Sequence, residues 1–233
     1  MRFLTARWQD LIMANYEVGP ELLASRVPAG TELDTFEGKC FVSLVGFMFL
    51  DTRVLGVRVP FHVNFEEVNL RFYIKRELPD ETRRAVCFVK EIVPRTAIAT
   101  VARVLYGEPY ERWRMNNERS DTAVQYEWSR GNVRNSLGVE IGQTSGIPPA
   151  GSHGEFIIEH YWGYTARGAG RTDEYKVEHP KWELRSVTDS TIDIDIERTY
   201  GPEFAFLQRS APHSVLFAKG SEISVFKGAT IKI

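Results

Sequence analysis

The chain of 233 residues lacks several features that would place it in a specialised class of protein. It has 2 cysteines, Cys40 and Cys87, and neither a CxxC nor an HExxH spacing. A disulfide framework and the common zinc sites are therefore excluded, and both cysteines, which lie inside apolar runs, are predicted to be buried free thiols. We expect no metal and no cofactor.

Long apolar runs and an excess of one charge are also missing. No segment reaches the ~20 apolar residues of a membrane-spanning helix, and the first residues lack the apolar run of a signal peptide. The 29 basic and 31 acidic residues give a formal net charge of -2. Nucleic-acid-binding surfaces usually carry a basic excess. We therefore expect a cytoplasmic protein with neither a membrane nor a nucleic-acid partner.

A few short helices are predicted from local patterns. Apolar side chains at helical spacing predict a helix over residues 7–16. A second short helix is predicted over residues 21–26, because Pro20 stands at its start, where proline is favoured. Ser152 and Glu155 have the spacing of a capping box, which predicts a third. Further along the chain, one or two helical turns are predicted over residues 202–208.

Most of the remaining chain has the pattern of β-strands. The predicted strands cover residues 41–50, 61–75, 85–91, 97–105, 122–130, 161–166, 174–178, 183–187, 191–198, 214–218 and 223–227. The first of these is almost continuously apolar, which predicts burial on both faces. We interpret the glycine- and proline-rich segment 142–151 as a connection within one domain, residues 1–233. Many strands and few helix-length crossovers favour a mainly β (α+β) protein whose antiparallel sheet curls or closes.

The predicted strand around residues 65–73 has two faces of opposite character, because side chains alternate along a strand. One face is apolar, and the other carries three polar side chains between aromatic residues: Glu67, Asn69 and Arg71. Such groups need water or partners. Two interpretations remain open. Either this face lines a cavity and contacts a ligand, or Glu67 and Arg71, about 13 Å apart along the strand, join separate buried salt bridges.

Further motifs give the chain a family resemblance. They are Val18-x-Pro20-x-x-Leu23, Val27-Pro28-x-Gly30-x-x-Leu33-Asp34, Gly38-x-x-Phe41-Val42-Ser43-Leu44-Val45-x-Phe47, Phe65-x-Glu67-x-Asn69-x-Arg71-x-Tyr73, Glu159-x-Tyr161-x-x-Tyr164 and Val177-x-His179-Pro180-x-Trp182. Over nearly its whole length the chain resembles the YqjF-like family of bacterial proteins of unknown function, and more distantly the acetoacetate decarboxylases. The resemblance implies a curled antiparallel sheet or barrel around a central cavity, with the polar strand face pointing inward.

The resemblance also bears on the reaction. Acetoacetate decarboxylases carry a Gly-x-Pro-Lys-Lys segment that supplies a Schiff-base lysine, and the matching segment here begins at Gly107. Tyr110 and Glu111 stand in place of the two lysines, and neither has the amine that a Schiff base requires. Lys75 has the parity of the polar face, but the charged residues that follow it indicate a strand leaving the core. We therefore do not expect a Schiff-base decarboxylase.

Three functional hypotheses follow. The first is a cavity that binds a small organic acid or polar metabolite, with Arg71 as the anion clamp. Its ligand-binding candidates are Glu67, Asn69, Arg71, Tyr110 and His179. The second is an enzyme of lyase or hydrolase type that transfers protons through Glu67 or Glu108. The third is a homo-oligomer assembled through apolar strand faces and Trp113. His179 and the turn that contains Glu108 each also have a purely structural interpretation.

Overall fold

The computed structural model describes residues 1–96 and 107–232. The predicted strand over residues 97–105 lies outside this part. The described strands are β1 (Arg2–Val18), β2 (Glu32–Leu33), β3 (Cys40–Val54), β4 (Phe65–Glu77), β5 (Thr82–Val93), β6 (Tyr110–Arg112), β7 (Arg114–Arg119), β8 (Ala123–Arg130), β9 (Val133–Gly146), β10 (Trp162–Gly168), β11 (Arg171–Glu178), β12 (Leu184–Asp193), β13 (Ser214–Phe226) and β14 (Ala229–Lys232). The described helices are α1 (Pro20–Leu23), α2 (His153–Ile158) and α3 (Ile196–Tyr200), with 3₁₀ segments at Ala24–Arg26 and Pro202–Arg209.

Seven of the described strands close into a ring. Their order is β13, β1, β3, β4, β5, β10, β11 and back to β13. Neighbours are antiparallel except β5 and β10, which run parallel over two residue pairs. From β13 the sheet also continues through β12, β9, β8 and β7, and this arm packs on the outside of the ring. The expected mainly β protein with a curled sheet and few short helices is confirmed.

Strands β1, β3, β4 and β5 of the ring bury residues on both faces, and the molecule has two apolar cores. Val68 and Leu70 on one face of β4 join an outer core with Tyr126 of the arm. Phe65 and Tyr73 on the other face join an inner core that includes α2. Each large apolar side chain fully buried in this way stabilises the fold by roughly 1.5–3 kcal/mol. The prediction that β3 is buried on both faces is confirmed from Cys40 to Phe49.

The predicted helix over residues 7–16 is wrong, because this segment belongs to β1. β1 lies between β3 and β13, and its pairing with β3 shifts register between Gln9 and Ile12. Asp10 in this bulge has a φ of 55° and binds Arg119 at 3.1 Å and Lys219 at 2.8 Å. A bulge changes which side of the strand each later residue faces. Because both faces of this strand are buried, the change of side at the bulge gives its apolar residues the spacing that is typical of an amphipathic helix.

Two pairs of predicted strands are in fact one strand each. Residues 214–218 and 223–226 lie in β13, which continues through Gly220 at a φ of 84°. A side chain at Gly220 would clash with the backbone carbonyl of Trp8. Residues 184–187 and 191–193 lie together in β12, and residues 196–198 of the second predicted strand are helical. Asp195 caps α3 by accepting a bond from the backbone N–H of Arg198 at 3.1 Å, a signal that the alternating isoleucines concealed.

Other local predictions are confirmed or need small corrections. The helix over residues 21–26 is present as α1 and its 3₁₀ extension, and Ser152 caps α2 through the backbone N–H of Glu155 at 3.3 Å. The glycine- and proline-rich connection begins only at Ile147, because β9 continues to Gly146. Within residues 1–96 and 107–232, no helix is long and apolar enough to cross a bilayer.

Trp113 does not support the oligomer hypothesis. Its side chain is 3% exposed and belongs to the outer core. Its indole N–H donates to Glu111 Oε2 at 2.9 Å. Trp113 therefore stabilises the monomer and offers no contact surface to a second copy.

Candidate functional site: a polar cavity inside the strand ring

A cavity of about 220 Å³ is bounded by the inner faces of the ring strands. Most of its wall is apolar and aromatic. Among the described residues, its ionisable and amide side chains are Glu67, Asn69, Arg71, Glu91, Glu108, Tyr110, His160, Tyr175 and His179, with His62 in the loop before β4. All six residues singled out from the sequence line this one cavity: Glu67, Asn69, Arg71, Glu108, Tyr110 and His179.

Glu67 is held in place from two sides. Asn69 Nδ2 donates to its Oε1 at 3.0 Å, and the Tyr110 hydroxyl donates to its Oε2 at 3.1 Å. Burial raises the pKa of Glu67 to about 7, although both hydrogen bonds and the charge on Arg71 favour the ionised form. This carboxyl therefore changes its protonation state near neutral pH, as an acid or base catalyst must.

Glu108 and Glu91 bring two further carboxyls to the same wall. The Tyr175 hydroxyl donates to Glu108 Oε1, and burial, with the nearby charge of Glu67, raises the pKa of Glu108 to about 8. Burial and the charges on Glu108 and Glu67 raise the pKa of Glu91 well above its ordinary value. Like charges this close cannot all ionise together, so the cluster holds protons at neutral pH.

Arg71 is the cation of the cavity. One guanidinium N–H donates to the Ile157 carbonyl at 3.4 Å, and the Tyr73 ring lies 5.7 Å from its Cζ. Its Nε is buried without a hydrogen-bond partner among the described residues. In the described part of the chain, neither Arg71 nor Glu67 has an opposite charge within 4 Å. Among the described residues, neither side chain therefore forms the buried salt bridge of the structural interpretation.

Two histidines of the cavity, His160 and His179, are neutral at neutral pH. Burial lowers the pKa of His160 to about 4, although Asp34 Oδ2 lies 3.5 Å from its Nε2. Burial also lowers the pKa of His179, whose ring stacks between Tyr161 at 4.7 Å and Trp182 at 4.2 Å. His179 Nδ1 donates to the Pro180 carbonyl at 2.9 Å, which leaves Nε2 as an acceptor.

Sequence reasoning missed Glu91, and a bulge explains why. The pairing of β4 with β5 shifts register between Leu70 and Arg71. Val86 and Phe88 line the cavity, and after the shift Glu91 does so too. Strict alternation from Phe88 would turn Glu91 to the opposite face. Tyr175 was also missed, because it lies in β11, whose inner face is defined only when the ring closes.

No lysine lines the described wall of the cavity. Lys75 Nζ lies 3.0 Å from both Glu32 and Glu77, and Lys90 Nζ lies 2.9 Å from Glu111. The sequence of residues 97–106 contains no lysine either. Within the described ranges, no group of three His, Cys, Asp or Glu side chains is arranged to hold a metal ion.

Comparison with protein families gives one match over most of the chain. The family model DUF2071, described as "Uncharacterized conserved protein", matches residues 5–222. The uncharacterized protein YqjF of Bacillus subtilis (strain 168) is 28% identical over 126 residues, or 54% of this chain. The match covers 50% of YqjF, so the chain aligns with about half the length of this curated relative. The predicted resemblance to the YqjF-like family is confirmed.

Solved structures share the fold at low sequence identity. Acetoacetate decarboxylase from Legionella pneumophila matches with a TM-score of 0.70 and 10% identity, over 98% of this chain and 87% of its own. An acetoacetate decarboxylase-like enzyme from Sphingomonas wittichii RW1 matches with a TM-score of 0.66 and 12% identity, over 100% and 94%. The enduracididine biosynthesis enzyme MppR complexed with pyruvate matches with a TM-score of 0.66 and 13% identity, over 99% and 91%. The expected acetoacetate decarboxylase-like fold is confirmed.

Proposed function

Because the chain belongs to the DUF2071 family, whose description assigns no activity, we propose a function from the cavity itself. The cavity binds a small organic acid, and Arg71 holds the carboxylate of that acid. The observation that carries this proposal is the Arg71 guanidinium, which faces a largely apolar cavity and has no carboxylate within 4 Å among the described residues.

A guanidinium in such surroundings favours a carboxylate for two reasons. It can donate two parallel N–H bonds to the two carboxylate oxygens, a geometry that a point charge does not match. Its attraction for an anion is also stronger in a cavity walled by apolar groups than in water. A volume of about 220 Å³ lies below the roughly 300–1,000 Å³ common for drug-sized ligands, which favours a metabolite of a few heavy atoms.

One structural neighbour suggests where to start. MppR, which shares the fold, is described in complex with pyruvate. Pyruvate and other short 2-oxo acids are therefore the first probes to use, each paired with its neutral amide.

A thermal-shift comparison tests the proposal. At 100 times its Kd, a ligand stabilises the fold by about 2.7 kcal/mol, which raises the Tm by roughly 5–10 °C for a chain of this length. We expect such a shift with the acids and not with the amides. The shift should disappear in Arg71→Met, which keeps the volume of the side chain and removes the charge.

Arg84→Met is the matched control. Arg84 is also partly buried, but its Nε lies 2.7 Å from Asp34 Oδ2 and it does not line the cavity. This variant should melt at a lower temperature and keep the full ligand-induced shift. Equal shifts in Arg71→Met and wild type would contradict the role given to Arg71.

A second candidate function is proton transfer at a carbon next to a carbonyl group. The observation that favours it is the pair of buried carboxyls, Glu67 and Glu108, each bonded to a tyrosine hydroxyl. Their pKa values of about 7 and about 8 suit general acid and base catalysis near neutral pH. In this function, ionised Glu67 takes the carbon-bound proton while Arg71 holds the carboxylate of the substrate.

Hydrogen exchange tests this second function without knowledge of the product. Pyruvate is incubated with the protein in D₂O, and loss of its methyl proton signal is followed by NMR. We expect faster exchange than in buffer alone, and a loss of that acceleration in Glu67→Gln. Acid binding without any accelerated exchange would leave the binding function standing and remove the catalytic one.

A further inference from the structure

We propose that the ligand of this cavity is bipolar, with a carboxylate at Arg71 and an ammonium or similar N–H donor between Asn69 and Glu91. This inference rests on the proposed function, because it assumes an acid held by Arg71. It adds the second half of the ligand and so names the substrate class, a short ω-amino acid or a compound with the same two ends.

Two unpartnered acceptors carry the inference. Asn69 Oδ1 and Glu91 Oε2 are buried without a hydrogen bond from any described residue. The two side chains are 2% and 1% exposed, and both line the cavity. Buried polar atoms of native proteins almost always have partners. Asn69 Oδ1 accepts hydrogen bonds, and so does Glu91 Oε2 when Glu91 is ionised. The partner that suits both atoms is therefore a cationic donor, which favours the ionised carboxyl.

The orientation of Asn69 is fixed by its neighbour. Its Nδ2 donates to Glu67 Oε1 at 3.0 Å, so its oxygen is the end left for a ligand. Asn69 lies opposite Glu91 in the pairing of β4 with β5. The terminal groups of both side chains turn about soft torsions, so small rotations suffice to bring both oxygens onto one bound group.

The charges around this point also favour a cation. Glu67, Glu91 and Glu108 share the wall, and no described lysine or arginine lines this part of it. The cluster holds protons at neutral pH because its carboxylates would repel one another, and a positive group among them favours their ionised form. A simple carboxylate would fill only the Arg71 end and leave both acceptors unpartnered.

The spacing limits the length of the ligand. Asn69 and Arg71 are two residues apart on one strand face, a separation of about 7 Å along β4. The carboxylate and the amine must therefore be joined by a short chain. The methylenes of such a chain would contact the apolar wall, which includes Phe47 and Phe88.

A matched ligand series tests the inference by calorimetry. The probes are β-alanine, 4-aminobutyrate and 5-aminopentanoate, each compared with propionate, butyrate or pentanoate of the same chain length. We expect at least one amino acid of the series to bind wild type tenfold or more tightly than its plain acid. Butylamine, which has no carboxylate, should bind more weakly than either.

Glu91→Gln separates this inference from the proposed function. In that variant the amino acid should fall to the affinity of its plain acid, while the plain acid binds as in wild type. Glu111→Gln is the control, because Glu111 lies on neighbouring β6, binds Lys90 and does not line the cavity. It should change neither affinity.

The outcomes distinguish the bipolar ligand from the acid site at Arg71. If the plain acids bind as tightly as the amino acids, or if Glu91→Gln keeps the preference, the bipolar ligand is wrong and the acid site stands. If neither kind of probe binds in an Arg71-dependent way, the proposed function fails, and the bipolar ligand fails with it.

Discussion

One face of β4 carries two polar networks that differ in how completely their atoms are bonded. Near its end, Tyr73 shares a hydrogen bond with Ser43 at 2.6 Å, and Ser43 donates to Asn15 at 2.5 Å. Asn15 in turn donates to Ser214 at 2.9 Å. Two and four residues earlier on the same face, Arg71 and Asn69 each keep a buried polar atom that has no hydrogen-bond partner within the described part of the chain.

The two networks differ in role: the bonded one holds the fold together, and the other belongs to the proposed binding site. A buried network in which every member is bonded fixes the positions of the strands that it joins. Unpartnered buried groups cost stability, and several of those in the described residues lie on the wall of this cavity. This is the arrangement that the proposed binding site requires. Replacing Asn15 breaks the first network, replacing Glu67 changes the second, and Lys75 lies where the face ends.

The largest effect is expected from Asn15→Leu, which breaks the bonded network. Asn15 is fully buried and joins Ser43 to Ser214 across β1. Its loss leaves the buried Ser43 hydroxyl without its acceptor, so we expect the free energy of unfolding to fall by about 3–4 kcal/mol. Urea unfolding measures this loss.

Asn132→Leu provides the control for that variant. Asn132 is exposed and bonds only at the surface with Arg198, so its replacement should change stability by less than about 0.5 kcal/mol. Carboxylate binding should survive in both variants. A loss in Asn15→Leu no larger than in the control would contradict the structural role of this network.

The next effect comes from the carboxyls of the cavity and has the opposite sign. Burial raises the folded-state pKa of Glu67 from 4.5 to about 7. The folded protein therefore binds this proton more tightly than the unfolded chain does. That contribution is fully present below pH 4.5 and is lost as the pH rises through 7. Glu67→Gln should thus be more stable than wild type at pH 8, by about 3 kcal/mol, and the gap should close near pH 4.5.

Glu111→Gln should behave in the reverse way. Burial pushes the pKa of Glu111 upward, but hydrogen bonds from Trp113 and Lys90 outweigh it and the pKa is lowered. Its contribution is present above the unfolded pKa and is lost as the pH falls, so Glu111→Gln should be less stable than wild type at pH 8. Unfolding curves between pH 4.5 and pH 8 measure both variants. A Glu67→Gln curve parallel to that of wild type would show that Glu67 ionises normally.

Strand β4 shows which features of the candidate site could be predicted from the sequence and which could not. Alternation placed Glu67, Asn69 and Arg71 on one face, and the structure brings all three to the cavity. Alternation fails where the backbone is irregular. The bulge at Asp10 made a strand resemble a helix, and the register shift in β5 hid Glu91. Bulges depend on pairing with a neighbouring strand, so they cannot be located from local sequence.

The resemblance supplied what alternation could not, namely which face is inside. A strand with one polar face is equally compatible with solvent on that side. Only ring closure, through the pairing of Val177 with Val225 and of Glu178 with Ser224, turns that face inward. This contact joins strands far apart in the sequence. No local pattern around residue 67 contains it.

The smallest effect is expected at Lys75, the next residue on the same face after Tyr73. Lys75 binds Glu32 and Glu77 at the rim and does not line the cavity. A Schiff base needs a neutral amine, and pairing with two carboxylates raises the pKa of Lys75 above its ordinary value. Treatment with pyruvate or acetoacetate and cyanoborohydride should therefore give no stoichiometric adduct by mass spectrometry. A single adduct that disappears in Lys75→Arg would instead mean that the lysine turns inward when an oxo acid binds. The polar face would then extend one residue further than its contacts indicate, and a Schiff-base reaction would again be a candidate for this cavity.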